Sequence, residues 1–528
     1  MTSTRTRFER TLWWIAFAAF VVTGVGWTMA MPLLAQPDEP SHAIRAAAIA
    51  QGDPTWKARE EFIYEEFFFV RRTNTVVDVP AGYATLEDIP VCFTFESGQD
   101  ASCAEEISSS NEIVEARPYT GTYPPLTAIL QSPGGHFDAP VGLVIMRLCT
   151  VIVTSALLAS AVVAVRRLGG GANAVGLALI LTPVTVSIMA AINPSALELA
   201  AAACLWPSLI EVLRPGPVNR RTVWRTVVSA AVLILSRPIS PAFLVVIVAT
   251  IMIAMPWREQ ARALYRERRS WLWGLILVAS LVFATVWIVR FRPDHAIIGA
   301  PDPRTTAEQI DSSLSYIPRR AGQLVGSLGW LDVPLPGFLV SIWLAVGAFV
   351  GVIAVVLGSW RRRLALVILT AGVIFGPTVA EIPSASEYGL IWQGRYTLPI
   401  AMGLPVLAMW TLHERRLDRA RVVRGLGVII VAATSAANLL AVAVALTDRQ
   451  TGRSWPLDVE LGPQNWSADV RGWVVLTVAG GGLAVLGVLL GVLAWQRREL
   501  PDRPPPARDV DVERPIDPSL TGAEPAVC

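Results

Sequence analysis

Apolar side chains dominate the stretch from Leu12 to Leu34, enough helix to cross the hydrocarbon core of a bilayer. Runs of the same kind recur near 141–165, 172–192, 195–213, 271–290, 337–359, 364–380, 396–412, 426–446 and 472–495. The stretch 226–256 is read as two short arms turning at Ser236-Arg237-Pro238, because one crossing there would strand the basic loop Arg258–Arg269 on the wrong side. The pattern predicts an all-α integral membrane protein of about twelve transmembrane helices.

The polar intervals divide the chain further. A short N-terminus (1–11) precedes the first helix (12–34), and a loop domain spans 35–140. Helices two to seven occupy 141–290, a second external loop 291–336, helices eight to twelve 337–495, and a Pro-rich tail 496–528. The first loop is too long for a connector. It predicts an amphipathic helix from Pro40 to about Gln51, then strand-like pieces at Val76–Val79 and Val91–Phe95, a mixed α/β character.

Hydrophobic residues make up 53% of 528 and charged residues 16%, with mean hydropathy +0.50. The net charge of +2 hides Arg clusters at Arg5–Arg10, Arg166-Arg167, Arg214–Arg225, Arg361–Arg363, Arg415–Arg424 and Arg497-Arg498. These read as topology signals that place both termini in the cytoplasm, not as a nucleic-acid surface. The bilayer itself is the first partner implied.

Charges near the opposite ends of the spans are costly and point to function. Asp38 and Glu39 follow the first helix, with His42 and Arg45 one and two helical turns after Asp38. Arg147, Glu198, Arg237 and Arg395 all fall toward the outer ends of their spans. A transporter would more naturally hold such groups near the midplane, on broken helices. Each also has a plainer reading: Asp38 as a helix N-cap, His42 as a helix-face residue, Arg395 as a headgroup anchor, Asp332 as a turn residue. Cys92 and Cys103 are a disulfide pair or two thiols. Cys149 and Cys204 read as small core residues. No Cys/His spacing resembles a zinc site, and no compact Asp-x-Asp pair lies near Asp38, so no metal is expected.

Five short elements carry a resemblance: Pro37-Asp38-Glu39-Pro40-Ser41-His42, Tyr123-Pro124-Pro125-Leu126, Arg237-Pro238, Gly329-Trp330-Leu331-Asp332 and Gln393-Gly394-Arg395-Tyr396. Their order over about residues 12–450 resembles a large bacterial family of predicted multi-pass membrane proteins, a domain of unknown function. That family is in turn similar to type-C glycosyltransferases, multi-pass enzymes that use polyprenyl-phosphate sugars outside the membrane. The resemblance implies a bacterial plasma-membrane enzyme that moves a sugar from a polyprenyl-phosphate donor to an envelope glycan or lipid acceptor, with inversion and no cofactor. Asp38 is then the base, with Glu39 its alternate. Arg237, Arg395 and, more weakly, Arg147 are the phosphate contacts, and His42, Arg45 and Tyr396 complete the substrate site. Glu198 and Asp332 support it. A transporter of lipid-linked sugars and a non-catalytic envelope-assembly protein are the alternatives.

Overall fold

The computed structural model describes residues 2–53, 57–65, 68–96, 98–291 and 302–497. Helix α1 (Thr2–Ala30) is followed by α2 (Glu39–Ala50) and a three-stranded antiparallel sheet of β1 (Lys57–Glu65), β2 (Phe68–Pro80) and β3 (Ile113–Ala116), with β2 central. Val76–Val79 lies in β2, but Val91–Phe95 is not a strand: Ile89–Cys92 is a 3-10 turn. Pro90 can give no ladder hydrogen bond there. Cys92 and Cys103 are joined as a disulfide, Cα to Cα 6.1 Å, while Cys149 and Cys204 are free.

The membrane part contains α3 (Ala139–Arg167), α4 (Ala172–Ile180), α5 (Pro183–Ile188), α6 (Pro194–Leu213), α7 (Arg220–Ile234), α8 (Ser240–Ala254), α9 (Arg258–Tyr265) and α10 (Ser270–Arg290). It continues with α11 (Gly337–Leu357), α12 (Trp360–Tyr388), α13 (Gly403–Glu414), α14 (Arg421–Thr451) and α15 (Gly472–Trp495). Among the described residues, eight helices are long and apolar enough to span, and α8 with α9 forms a pair bent by 120° that would make nine. The remaining predicted spans are helical but short. The 172–192 stretch breaks between α4 and α5, where Pro183 lacks the N–H that would continue the ladder. The 226–256 hairpin is present as α7 and α8, each 15 residues. The 396–412 stretch starts as a 3-10 turn at Gly394–Thr397 before α13.

Helix α1 packs on α3 and on α15. In lipid, apolar surface gives little drive for helix association, so close backbone approach supplies it. A Cβ on Gly26 would lie 2.7 Å from Ala479 Cα, and that contact therefore requires glycine.

Hydrogen bonds sort the loops onto two ends. At one end Arg167 reaches Glu9 at 2.7 Å, Asp418 accepts from the Ala172 amide at 3.2 Å and from Arg497 at 2.7 Å, and Arg362 pairs with Glu414. This is the Arg-rich end foreseen from the sequence. Asp38, Arg237 and Arg395 lie at the other.

Candidate functional site

Asp38 occupies the N-cap position of α2 but does not cap it. Its backbone is left-handed (φ 60°, ψ 8°) and its side chain makes no capping hydrogen bond. Asp tolerates this region better than most residues, though at a cost. The turn aims the carboxylate away from the helix. Tyr119 donates its hydroxyl to Asp38 Oδ1 at 3.0 Å, and Arg395 Nη2 donates to Oδ2 at 3.1 Å. The Asp38 side chain is 25% exposed and that of Arg395 5%.

Arg395 and Arg237 converge on one ring. Their guanidinium carbons lie 5.2 and 4.3 Å from the centroid of Tyr396. Arg237, at the α7–α8 turn, is 5.9 Å from the Tyr123 ring and donates to Glu198 Oε2 at 3.4 Å. Glu198 also accepts from the Ser240 hydroxyl at the start of α8. Two buried cations, each steadied by one carboxylate, thus share an aromatic shelf, and cation–π contact adds to both.

His42 is buried edge-on to Tyr123, ring centroids 5.2 Å apart. Burial, with Arg45, Arg237 and Arg395 around it, pushes its pKa down to about 3 against the pull of Asp38, so the ring is neutral. Burial likewise raises the Tyr119 and Tyr123 hydroxyls, helped by the charge of Asp38. Arg45 donates to the Thr120 carbonyl at 3.2 Å and to the Tyr123 carbonyl, and lies 5.7 Å from the Trp287 ring. Its pKa falls to about 9 through burial. Arg45 therefore holds the tyrosine-bearing loop instead of facing a ligand.

Glu39 and Arg147 depart from their expected roles. Arg147 Nε donates to Glu39 Oε1 at 2.9 Å, and its other nitrogens reach the carbonyls of Thr28, Met31 and Pro32 at 3.1, 2.8 and 2.7 Å. Glu39 also accepts from the Ile192 amide at 2.9 Å. Both side chains are sealed from solvent, at 0% and 1% exposure. The pair clamps the end of α1 to α3 and to the turn before α6. Asn193 adds to the clamp by donating to the Pro37 carbonyl at 2.7 Å.

Asp332 belongs to a separate cluster. Arg449, at the end of α14, donates to its Oδ1 at 2.9 Å and lies 5.0 Å from the Phe93 ring beside the disulfide. Gly329 has φ 57°, and a Cβ there would meet Asp332 Oδ1 at 2.5 Å, which explains the Gly-Trp-Leu-Asp spacing. Asp332 supports the loops and not the Asp38 group.

The 393–396 segment is set from behind. Arg320 pairs with Glu381, which accepts from the Trp392 amide at 3.0 Å. The Gly394 amide donates to Gln323 at 2.7 Å, and a Cβ on Gly394 would lie 2.3 Å from the Arg320 carbonyl oxygen. Only glycine allows that approach.

Residues 20–404 match the family described as a predicted membrane protein (DUF2142). The chain belongs to that family. The match covers well over half the sequence and includes every member of the Asp38 group. Neither the curated proteins nor the solved structures contain a match.

Sequence reasoning missed several members of this DUF2142 protein's site. Tyr119 sits in a loop with no periodic signal, although it lies four residues before the recognised Tyr123. Glu87, whose carboxyl is pushed up to about 7 chiefly by burial, reaches Ser41 at the base of the Tyr119 loop. Ser240, which donates to Glu198, carries no motif, and neither does Arg449 of the separate Asp332 cluster. Among the described residues, no group of three or more His, Cys, Asp or Glu could hold a metal ion.

Proposed function

We propose that this protein is a type-C-like membrane glycosyltransferase that moves a sugar from a polyprenyl-phosphate donor to a cell-envelope acceptor. It works at the outer face of a bacterial plasma membrane, with twelve crossings and both termini cytoplasmic. One observation carries the reading: a partly exposed carboxylate, Asp38, meets two buried guanidiniums, Arg237 and Arg395, where the first membrane helix ends.

The chemistry needs both kinds of group. Asp38 takes the acceptor hydroxyl proton as that oxygen bonds to the anomeric carbon. The bond from that carbon to the phosphate oxygen breaks, and the electron pair leaves with polyprenyl phosphate. Arg237 and Arg395 stabilise the departing anion, since a guanidinium can hold two phosphate oxygens at once. Before donor binding, Arg395 is engaged with Asp38. A phosphate drawing Arg395 toward itself frees the carboxylate for the acceptor, which orders the two substrates.

The test is to incubate membranes bearing the full-length protein with labelled polyprenyl-phosphate sugars and to score free polyprenyl phosphate beside transferred sugar. The expected result is release coupled to transfer, lowered roughly 10²- to 10⁴-fold by Asp38→Asn. Undiminished release by that variant removes Asp38 from the mechanism. Donor that crosses the membrane intact makes the protein a transporter.

A further inference from the structure

The Arg-rich end of the molecule holds a second feature, unrelated to the Asp38 group. A cavity of about 410 Å³ opens between the starts of α1 and α7, over α3, and is lined by Arg7, Arg10, Arg167, Arg221, Arg225 and Glu9. It shares Trp13, Val163, Arg221 and Arg225 with a second cavity of about 300 Å³. The second is lined deeper along the helices by Leu157, Trp224 and Val228. Basic at one end and apolar at the other, the two form one crevice.

The charges do not cancel within it. Arg167 reaches Glu9 at 2.7 Å and Glu211 at 3.3 Å, and Arg225 pairs with Glu211. Those two carboxylates account for two guanidiniums. Among the described residues, Arg7, Arg10 and Arg221 have no carboxylate partner, and all three are exposed. Three like charges around one opening repel each other and favour an anion between them.

The apolar wall runs in the right direction to continue such an anion. From Arg221 to Val228 along α7 is about 10 Å of helix rise, directed into the membrane. The floor is fixed by Trp13 Nε1 donating to Ser160 Oγ at 3.0 Å. Val228 is 48% exposed at the far wall. A headgroup at the Arg rim would leave its chain lying against Trp13, Trp224 and Val228.

The geometry points to a binding site for one anionic phospholipid, its phosphate among Arg7, Arg10 and Arg221 and an acyl chain between α1 and α7. Charge complementarity selects an acidic headgroup, and the apolar continuation selects a lipid over a free phosphate. A lipid bridging these helices ties the first span to the α7–α8 hairpin.

The full-length protein in phosphatidylcholine nanodiscs doped with phosphatidylglycerol, examined by native mass spectrometry, provides the test. The wild type retains one phosphatidylglycerol that excess inorganic phosphate does not displace. The R7Q/R10Q/R221Q variant lowers that retention roughly a hundredfold, at about fivefold per near-surface Arg. R258Q/R262Q/R266Q, with the same charge change on α9 and the residue that follows it, leaves it within about twofold. Val228→Trp, which fills the groove from an exposed position without altering charge, lowers retention several-fold. Equal losses in both Arg variants, equal retention of phosphatidylcholine, displacement by inorganic phosphate, or full retention by Val228→Trp together with the crevice Arg variant overturns the assignment.

Discussion

Asp38 and Glu39 are adjacent carboxylates, and replacing each by its amide separates a chemical role from a structural one. Glu39 is sealed against Arg147, whose guanidinium has no water to turn to. Glu39→Gln removes the only negative charge that is ion-paired with Arg147 among the described residues. Removing one partner of a buried pair costs about 3–5 kcal/mol, because the remaining charge stays desolvated. Asp38 is 25% exposed, so water replaces part of what Arg395 loses. Asn also adopts the left-handed conformation at least as readily as Asp. Asp38→Asn therefore costs about 1 kcal/mol. For a chain of this size roughly 1–2 °C accompanies each kcal/mol. The expected fall in apparent Tm is thus roughly 3–10 °C for Glu39→Gln and no more than about 2 °C for Asp38→Asn. With 19 tryptophans, intrinsic fluorescence during a thermal ramp of the detergent-solubilised protein reads this directly. A drop for Asp38→Asn equal to or larger than that for Glu39→Gln refutes the division of labour.

Arg449→Met should lower stability by about 3–5 kcal/mol by leaving Asp332 buried and unpaired, and the further change Asp332→Asn should recover part of the loss; an unchanged single variant would show that this pair holds nothing together. Replacing Cys92 and Cys103 by Ser should cost about 2–3 kcal/mol in the same thermal assay, since the unfolded chain regains the freedom of a short loop. Glu87 predicts a pH effect. Its carboxyl pKa is raised to about 7, so the fold favours the protonated form, and that stability is full below about pH 4.5 and lost as pH rises through 7. Glu87→Gln should flatten the fall in that window, worth about 3 kcal/mol at most. His42 has the opposite sign: its pKa is lowered, so its contribution is lost as pH falls from 6.5 toward 3, and His42→Gln should flatten that limb alone.

Much of the rim was legible because charges among apolar residues are rare enough to stand out. Asp38, Glu198, Arg237 and Arg395 were found that way, and they meet in space. The α7–α8 hairpin followed from loop charge alone. What pattern could not separate was Asp38 from Glu39: the two differ only in the turn at φ 60°, which sends one side chain to the rim and the other inward. Arg147 looked like a ligand for the same reason, since a buried pair and a site cation have one signature along the chain. Four of the twelve expected spans are shorter than a full crossing, and periodicity alone does not register a Pro or Gly break such as that before Pro183. Tyr119 and Arg449 are set by contacts with residues far along the chain, which no local window contains.

The pairing distances along the chain impose an order on how the molecule comes into being. Glu39 waits 108 residues for Arg147, whereas Asp38 waits 357 for Arg395. At ribosomal speeds of about 5–20 residues per second, the second wait lasts on the order of 20–70 s. The scaffold around the nascent first helix thus locks well before the reactive pair can meet. A product cut short upstream of Arg395 would carry an anchored acid with nothing opposite it.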